Sequence, residues 1–373
     1  MSRKVMISAG EASGELYGAL LSRELKSLWP DVEIFGIGGS RMAAEGVSII
    51  APIAHVIGIL EAIKYIPEGK RTLNKAAHAL HNQKPDLLVL IDYPDFNIAL
   101  AKKAKAAGVP VLYYVSPQVW AWRGKRVYTI ASLVKKIAVL FPFEVDCYKK
   151  TGLPCEFVGH PIIETIEHRQ SKEQLKNSLG LDPQRGVLSL LPGSRPNEIS
   201  RHQPVLREVA HKIHAAFPEM QIVVPLVSGS HLTENLPDYV NVIYDRTREA
   251  VACSEAAAVA SGTATLEAAL LGTPMVVFYR VSPLTFFIGG LLTHVTYISL
   301  VNILLNKEVV RELLQEEANP DSIFSEIARI LTDLPYRDCM MRNLAKIKTM
   351  MDNKHPSARV AAIIGELTGW SSP

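Results

Sequence analysis

Residues Lys4–Glu15 read KVMISAGEASGE, a short apolar run that passes into a glycine-bearing turn. The run Lys4–Ala9 predicts a buried β-strand, and the residues from the turn to Leu25 predict a helix. A fully apolar strand followed by a helix is typical of a parallel sheet that is covered by helices on both faces. The opening stretch therefore predicts an α/β fold.

The same strand-and-helix unit recurs in two series. The first series has predicted strands at Val32–Ile37, Leu87–Ile91, Val111–Val115 and Lys136–Leu140. The second follows Gly159-His160-Pro161, with strands at Val187–Leu191, Gln221–Pro225, Val240–Tyr244, Ala256–Ala260 and Pro274–Tyr279. The predicted fold is α/β, with two facing Rossmann-like domains whose parallel sheets are flanked by helices. Ligands of such sheets bind at the carboxyl ends of the strands.

The length of the chain also indicates two domains. It has 373 residues, whereas a single core stops growing at about 250–300 residues. We predict domains at residues 1–165 and 166–340. Residues 341–373 are predicted to form a helical segment that packs across the domains or in a dimer.

Composition excludes several classes of protein. A net charge of +3 is too small to make nucleic acid the main partner. The start of the chain has no apolar run of the kind found in a signal peptide. Four cysteines without metal-ligand spacing indicate reduced thiols and a cytoplasmic location: Cys147, Cys155, Cys253 and Cys339.

Two apolar regions predict contact with a membrane surface. No Lys, Arg, Asp or Glu occurs from Val281 to Asn306, but the polar groups in this stretch are costly in hydrocarbon, so we do not expect it to span a bilayer. Leu284–Leu292 within it, and Ile57–Leu60 beside Lys64, Lys70 and Arg71, are instead predicted to dock on anionic lipid. The alternative is that both segments belong to the core.

The turn after the first strand predicts an anion- or sugar-binding surface. Backbone N–H groups and the positive end of the following helix face the ligand at such a turn. Glu11, Ser13 and Gly14 are the candidate residues. The turn does not have the GxGxxG pattern, so a dinucleotide fingerprint is absent, and a purely structural turn is the alternative.

The stretch Ser261–Glu267, SGTATLE, predicts a pyrophosphate site. It follows an apolar strand and opens a helix, whose N-terminus carries about half a positive charge. Gly262, Thr263 and Thr265 allow close approach of the backbone, and Glu267 is predicted to accept hydrogen bonds from ribose hydroxyls. Capping of the helix accounts for the serine and threonines but not for the whole cluster.

LPGSR, from Leu191 to Arg195, lies at the end of the first strand of the second series, with Glu198 close behind. Arg195 is predicted to form a bidentate contact with phosphate, with Ser194 beside it.

IDYPDFN, from Ile91 to Asn97, ends another strand. Asp92 is the candidate general base, because partial desolvation at a strand end raises the pKa of a carboxyl group. Asp95 is the competing candidate. The DxxD spacing differs from the DxD of metal-dependent sugar transferases, so we expect catalysis without a metal or other cofactor. His160, at the junction of the two predicted domains, could equally be a hinge or a core residue, so we predict no role for it.

Seven motifs together resemble those of the lipid-A-disaccharide synthase family, in the family's order over nearly the whole chain. They are GEASGE (Gly10–Glu15), GIGGSRMAAEG (Gly36–Gly46), IDYPDFN (Ile91–Asn97), YYVSPQVWAWR (Tyr113–Arg123), LPGSRPNEI (Leu191–Ile199), SGTATLEAAL (Ser261–Leu270) and ELLQEE (Glu312–Glu317). Two departures are visible. Glu15 stands where the family usually has Asp, and Leu300-Val301-Asn302 replaces Leu-Pro-Asn.

The resemblance implies a GT-B glycosyltransferase, often an intertwined homodimer, at the inner membrane of a Gram-negative bacterium. It implies that UDP-2,3-diacylglucosamine reacts with 2,3-diacylglucosamine 1-phosphate to give a β-1′,6-linked disaccharide and UDP. The first domain would bind the lipid acceptor and the second the UDP-sugar. The family's essential aspartate falls on Asp92, its essential arginine on Arg195, and its loop asparagine on Asn302.

Two other functions remain as alternatives. A UDP-N-acetylglucosamine 2-epimerase shares the two-domain fold but needs no apolar surface near its sugar site. A non-catalytic lipid- or nucleotide-binding module would leave Asp92 and Arg195 at strand ends without a purpose.

Overall fold

The computed structural model describes residues 3–52, 66–121, 124–166, 170–282, 296–351 and 354–371. The chain forms two compact units. The first contains Met1–Glu164 together with Asn353–Pro373, and the second contains Thr165–Asp352. The predicted docking segments, residues 57–60 and 284–292, lie outside the described residues.

The first unit is built on a seven-stranded parallel sheet in the order β3-β2-β1-β4-β5-β6-β7. Its strands are β1 Lys4–Ala9, β2 Glu33–Gly38, β3 Ser48–Pro52, β4 Leu87–Ile91, β5 Val111–Tyr114, β6 Lys136–Val139 and β7 Cys155–Phe157. Its helices are α1 Ala12–Leu28, α2 Ser40–Ala44, α3 Ile66–Gln83, α4 Pro94–Ala106, α5 Arg126–Ala131 and α6 Glu144–Tyr148, with 3-10 turns at Lys149–Thr151 and Pro161–Thr165.

The second unit is built on a six-stranded parallel sheet in the order β10-β9-β8-β11-β12-β13. Its strands are β8 Val187–Leu191, β9 Gln221–Leu226, β10 Val240–Tyr244, β11 Ala256–Ala260, β12 Met275–Tyr279 and β13 Glu312–Leu314. Its helices are α7 Lys172–Ser178, α8 Pro196–Ala216, α9 Thr247–Ala252, α10 Thr263–Leu270, α11 Leu300–Leu305, α12 Pro320–Thr332 and α13 Leu334–Met351, with a 3-10 turn at Gln315–Glu317.

The central strands are buried on both faces, as their apolar composition predicts. Every residue of β4, β8 and β11 is buried. Each large aliphatic side chain buried in this way contributes about 1.5–3 kcal/mol. Gly36 brings β2 close to β1, since an added Cβ atom would lie 1.8 Å from the carbonyl oxygen of Ile7.

The last helix, α14 (Pro356–Thr368), packs on α1 in the first unit. Gly365 permits this contact, because an added Cβ atom would lie 3.0 Å from the Trp29 ring. Trp370 meets Trp29 edge to face at 5.2 Å, and Arg359 pairs with Glu156 on β7. Helix α13 belongs to the second unit, so the segment predicted at residues 341–373 is divided between the two units.

No helix within the described ranges is long and apolar enough to cross a membrane.

Candidate active site

In each sheet the strand order reverses at one point, and Glu11, Asp92, Arg195 and Thr263 follow the strands that meet at these two points. In the first sheet β1 and β4 are neighbours, with Ala9 paired to Ile91. Glu11 follows β1 and Asp92 follows β4. Ligands of doubly wound sheets bind at this switch point, beyond the carboxyl ends of the strands. The fold therefore brings the predicted base and the predicted anion-binding turn together.

A sharp turn projects Asp92 from the end of β4. Asp92 and Tyr93 both have left-handed backbones, with φ of 49° and 46°. Such conformations cost about 1–3 kcal/mol each and persist only when neighbouring groups hold them. The Asp92 carbonyl oxygen accepts hydrogen bonds from Asn97 Nδ2 at 2.7 Å and from the Tyr113 hydroxyl at 2.9 Å. The turn is therefore fixed from two sides.

The environment of Asp92 suits a proton acceptor. The pKa of its carboxyl group is raised to about 6, first by burial and then by the negative charge of Glu11, against the lowering effect of a hydrogen bond from the Tyr93 backbone N–H. Such a group is ionised at neutral pH yet binds a proton more readily than an ordinary aspartate. Asp95, the competing candidate, is exposed and paired with Arg126.

The turn after β1 contains groups with different roles. Glu11 is exposed and precedes α1 as its N-cap residue, and Ser13 is partly exposed. Gly14 is buried, and an added Cβ atom would lie 3.4 Å from the Ile91 side chain, so Gly14 serves the packing of α1 on β4. Glu15 accepts a hydrogen bond from the backbone N–H of Arg41 at 2.8 Å and thus holds the start of α2.

In the second sheet the switch point lies between β8 and β11, where Leu191 pairs with Val259. The loops that follow these strands lead into α8 and α10. Gly262 and Thr263 are exposed at the start of α10, and an added Cβ atom on Gly262 would meet no atom within 4 Å. Two helix N-termini at neighbouring strand ends favour the binding of an anion.

Arg195 is the exposed N-cap residue of α8, and its Nη1 lies 3.3 Å from Glu198 Oε1. Glu198 Oε2 accepts hydrogen bonds from the backbone N–H groups of Ser194 at 3.1 Å and Arg195 at 3.2 Å. The hydroxyl of Tyr279 donates to Glu198 Oε1 at 3.0 Å. Glu198 thus holds this loop in place. It lies three residues after the N-cap residue Arg195, the spacing at which a glutamate side chain commonly bonds back to the N-cap backbone.

The remaining residues of the predicted pyrophosphate site differ in exposure. Thr265 is buried, and its hydroxyl donates to the carbonyl oxygen of Gly262 at 2.8 Å, so it stabilises the turn from inside. Glu267 is partly buried and accepts a hydrogen bond from Arg248 Nε at 2.8 Å. Arg248 is not among the residues that the sequence predicts for this site.

Asn302 is buried, and its amide is hydrogen-bonded within the protein. Its Oδ1 accepts from the N–H groups of Val309 and Val310, and its Nδ2 donates to Val310 O and to Glu312 Oε1. Both Glu312 oxygens also accept backbone N–H bonds, Oε2 from Ile298 and Oε1 from Ser299. The hydroxyl of Ser261 in turn donates to Ile298 O at 3.1 Å. Asn302 is thus connected through Glu312 and Ile298 to the loop at Ser261, and its contact with substrate stays a prediction.

Two buried histidines have structural partners. His202 Nδ1 lies 2.7 Å from the carbonyl oxygen of Pro192, and its Nε2 accepts the Arg280 N–H at 3.1 Å, so it links the loops after β8 and β12. His160 lies against the rings of Tyr17 and Phe141. Burial lowers the pKa of His160 to about 3, so this side chain is neutral.

No group of three or more His, Cys, Asp or Glu side chains in the described part of the chain is arranged to hold a metal ion.

Solved structures share the fold of the chain at low sequence identity. A putative UDP-N-acetylglucosamine 2-epimerase from Listeria monocytogenes aligns over 100% of this chain and 98% of its own, with a TM-score of 0.68 and 12% identity. The glycotransferase of kitacinnamycin aligns over 98% of both chains, with a TM-score of 0.67 and 14% identity. These similarities show the α/β fold with two parallel sheets that GT-B glycosyltransferases have.

Sequence comparison is more specific. The family model described as lipid-A-disaccharide synthetase matches residues 5–361. The lipid-A-disaccharide synthase of Geobacter sulfurreducens is 42% identical over 99% of this chain and 98% of its own length. That of Myxococcus xanthus is 40% identical over 98% and 97%, respectively. With such coverage and identity, the chain belongs to the lipid-A-disaccharide synthase family.

Proposed function

We propose that the chain transfers diacylglucosamine from UDP-2,3-diacylglucosamine to the 6-hydroxyl of 2,3-diacylglucosamine 1-phosphate. The donor sugar is α-linked to UDP, whereas the product has a β-1′,6 linkage. The configuration at the anomeric carbon is therefore inverted, which calls for a single direct displacement. Such a displacement requires one general base for the acceptor hydroxyl and stabilisation of the departing diphosphate.

Asp92 is the proposed base, and its strand-end geometry is the observation that carries the proposal. Hydrogen bonds from Asn97 and Tyr113 fix its turn. Although its pKa is raised to about 6, the carboxylate is still ionised at neutral pH and can accept a proton. Asp92 would take the proton of the 6-hydroxyl as the oxygen attacks the anomeric carbon. Glu11 and Ser13, on the neighbouring turn, would contact the acceptor sugar.

Arg195 and the start of α10 at Gly262 and Thr263 are the proposed diphosphate site. The guanidinium group forms charge-assisted hydrogen bonds with phosphate oxygens, and the helix terminus adds a fixed positive potential. Both act on charge that increases as the bond between sugar and phosphate breaks. Ser194 would lie beside the phosphate, and Glu267 would accept hydrogen bonds from the ribose hydroxyls.

The acyl chains of both substrates support a peripheral location at the inner membrane, on its cytoplasmic side. We propose that residues 57–60 and 284–292 dock there, and that the protein can form a homodimer. Co-sedimentation of Ile59→Ser/Leu60→Ser and Phe286→Ser/Phe287→Ser variants with anionic vesicles is the check. If the folded variants sediment with the vesicles as the unmodified protein does, other residues must form the membrane contact.

A 2-epimerase activity is not favoured, although solved epimerases share the fold. Curated relatives at 37% to 42% identity carry the synthase name. The experiment that separates the two functions is mass spectrometry of the products formed from a defined diacyl donor and acceptor in mixed micelles. A disaccharide and UDP are expected. Epimerised donor without disaccharide would overturn the proposal.

A further inference from the structure

Arg248 and Glu267 form an ion pair close to the proposed diphosphate site. Arg248 lies in the first turn of α9, and Glu267 lies in α10. Arg248 Nε donates to Glu267 Oε1 at 2.8 Å, and the two side chains keep 35% and 20% of their surface exposed. Arg248 has no role in the mechanism proposed above.

The position of Glu267 relates this ion pair to the ligand. Thr263, which belongs to the proposed diphosphate site, and Glu267 are four residues apart on α10, so their side chains are neighbours on one face of the helix. In UDP the ribose is joined directly to the diphosphate. A carboxylate one helical turn, about 5.4 Å, from the helix start is therefore within reach of the ribose hydroxyls.

The guanidinium group of Arg248 has a second partner besides Glu267. Its Nη1 donates to the carbonyl oxygen of Thr165 at 3.3 Å. Thr165, Arg248 and Glu267 all belong to the second unit. Because the guanidinium group is planar and its N–H groups point in fixed directions, two partners restrict its orientation and that of the carboxylate bonded to it. The folded unit itself thus orders Glu267.

This order affects ligand binding in two ways. An ionised carboxylate accepts about four hydrogen bonds, so Glu267 can bond to Arg248 and still accept both ribose hydroxyls. A carboxylate that is already ordered loses less side-chain entropy when the ligand binds. The positive charge of Arg248 also offsets the negative charge of Glu267, which would otherwise repel the nearby diphosphate.

We propose that Arg248 is a positioning residue, which fixes Glu267 for the ribose hydroxyls and so makes the site prefer ribonucleotides to deoxyribonucleotides. This inference rests on the proposed function, because it takes Glu267 as the acceptor of those hydroxyls. Positioning and charge have different consequences. Offsetting the charge of Glu267 favours UDP and its deoxy forms alike, whereas positioning favours only the ligand that carries both hydroxyls.

The measurement is calorimetric binding of UDP, 2′-deoxy-UDP and 3′-deoxy-UDP to the whole protein. We define the ribose preference as the Kd of the more weakly bound deoxy form divided by the Kd of UDP. A hydrogen bond to a charged group contributes about 10- to 100-fold to affinity, so the unmodified protein is expected to have a preference in that range. In Arg248→Met the preference is expected to fall below about threefold.

Three further variants make the test specific. Arg248→Lys keeps the charge but loses the planar contact, so it is expected to restore most of the UDP affinity but only part of the ribose preference. Arg246→Met is the matched control, because Arg246 is exposed to 36%, pairs with Glu249 at 3.1 Å and is expected to leave the preference unchanged. Glu267→Gln is expected to lower the preference, and adding Arg248→Met to it is expected to lower it no further.

Circular dichroism checks that each variant folds, and Arg248→Lys serves as the test if Arg248→Met does not fold. If the folded Arg248 variants keep the full preference while Glu267→Gln loses it, Arg248 is not a positioning residue and the proposed function stands. An equal loss of affinity for UDP and both deoxy forms would show that Arg248 acts through its charge alone, which also overturns the inference. If the unmodified protein binds UDP without any ribose preference, the proposed ribose contact of Glu267 fails together with the inference.

Discussion

The side-chain amide of Asn97 joins the two strand ends of the first switch point. Its Nδ2 donates to the Asp92 carbonyl at 2.7 Å, while its Oδ1 accepts from the Ser8 hydroxyl on β1. Asn97 is buried. We infer that it holds the left-handed turn of Asp92 and acts on catalysis through it.

Replacing Asn97 is therefore expected to affect both stability and rate. Asn97→Leu leaves the buried Ser8 hydroxyl without its acceptor and the Ile91 and Asp92 carbonyls without this donor, at a cost of about 2–4 kcal/mol. Displacement of the base by about 1 Å lowers kcat by about 10²-fold. Urea unfolding and turnover measure the two effects. Full turnover in a destabilised variant would show that the turn does not depend on Asn97.

Asp92→Asn is expected to keep the fold and UDP binding but lower turnover by about 10²–10⁴-fold, since an amide cannot accept the proton. Asp95→Asn is the control, because Asp95 is exposed and paired with Arg126. Its effect is expected to be smaller. Retention of a tenth or more of the original activity in Asp92→Asn would reject Asp92 as the base.

The pH profile tests the same carboxylate without removing it. Activity is expected to rise with pH through about 6, the pKa of Asp92, and then level off. Because the charge of Glu11 raises that pKa, Glu11→Gln is expected to move the acidic limb to lower pH. If the acidic limb of the pH profile stays in place in Glu11→Gln, a group other than Asp92 determines the loss of activity at low pH.

Stability is expected to respond to the same titration. The pKa of Asp92 is raised in the folded state, so its protonation favours folding and that contribution is lost between about pH 4 and 6. At neutral pH the ionised carboxylate is destabilising, and Asp92→Asn removes this cost. The substitution that lowers turnover is thus expected to raise the melting temperature above pH 6.

The central part of the fold could be predicted from the sequence because it depends on local composition. β1, β4, β8 and β11 are apolar runs followed by glycine-bearing or polar turns. Three edge strands were missed: Ser48–Pro52, Cys155–Phe157 and Glu312–Leu314. They are only three to five residues long and mostly partly buried, so they lack a long apolar run.

The positions of Asp92, Arg195 and Thr263 could also be predicted, because each follows a recognisable strand. The hydrogen bonds of the Asn302 side chain could not be predicted. Its amide bonds depend on the backbone at Val309 and Val310 and on Glu312 of an edge strand, contacts that only the folded chain forms. Arg248 was missed for the same reason, since its partner Glu267 lies on another helix.

Catalysis is expected to proceed without a divalent metal. The sequence has no DxD motif, and Arg195 with the start of α10 offers positive charge for the diphosphate. Turnover in excess EDTA is therefore expected to stay close to the full rate. Loss of activity on chelation, with recovery on adding Mg²⁺ or Mn²⁺, would show that a metal does take part.

Arg195 provides the sharpest test of the diphosphate site. It is exposed, and Glu198 contacts both its guanidinium group and its backbone N–H. If Arg195 stabilises charge that increases as the sugar–phosphate bond breaks, Arg195→Gln will lower kcat by about 10²–10³-fold. The dissociation constant of UDP will rise less, because binding does not benefit from charge that appears only in the transition state.

Two further variants separate charge from geometry at this position. Arg195→Lys keeps the charge but loses the two-pronged hydrogen-bond geometry, so its kcat is expected to lie between those of the unmodified protein and Arg195→Gln. Arg201→Gln is the control, because Arg201 is exposed on the same helix, α8. Turnover and calorimetric UDP binding are measured for all three. Equal turnover in Arg195→Gln and Arg201→Gln would show that Arg195 is an ordinary surface residue, and the anion site would then consist of the helix termini alone.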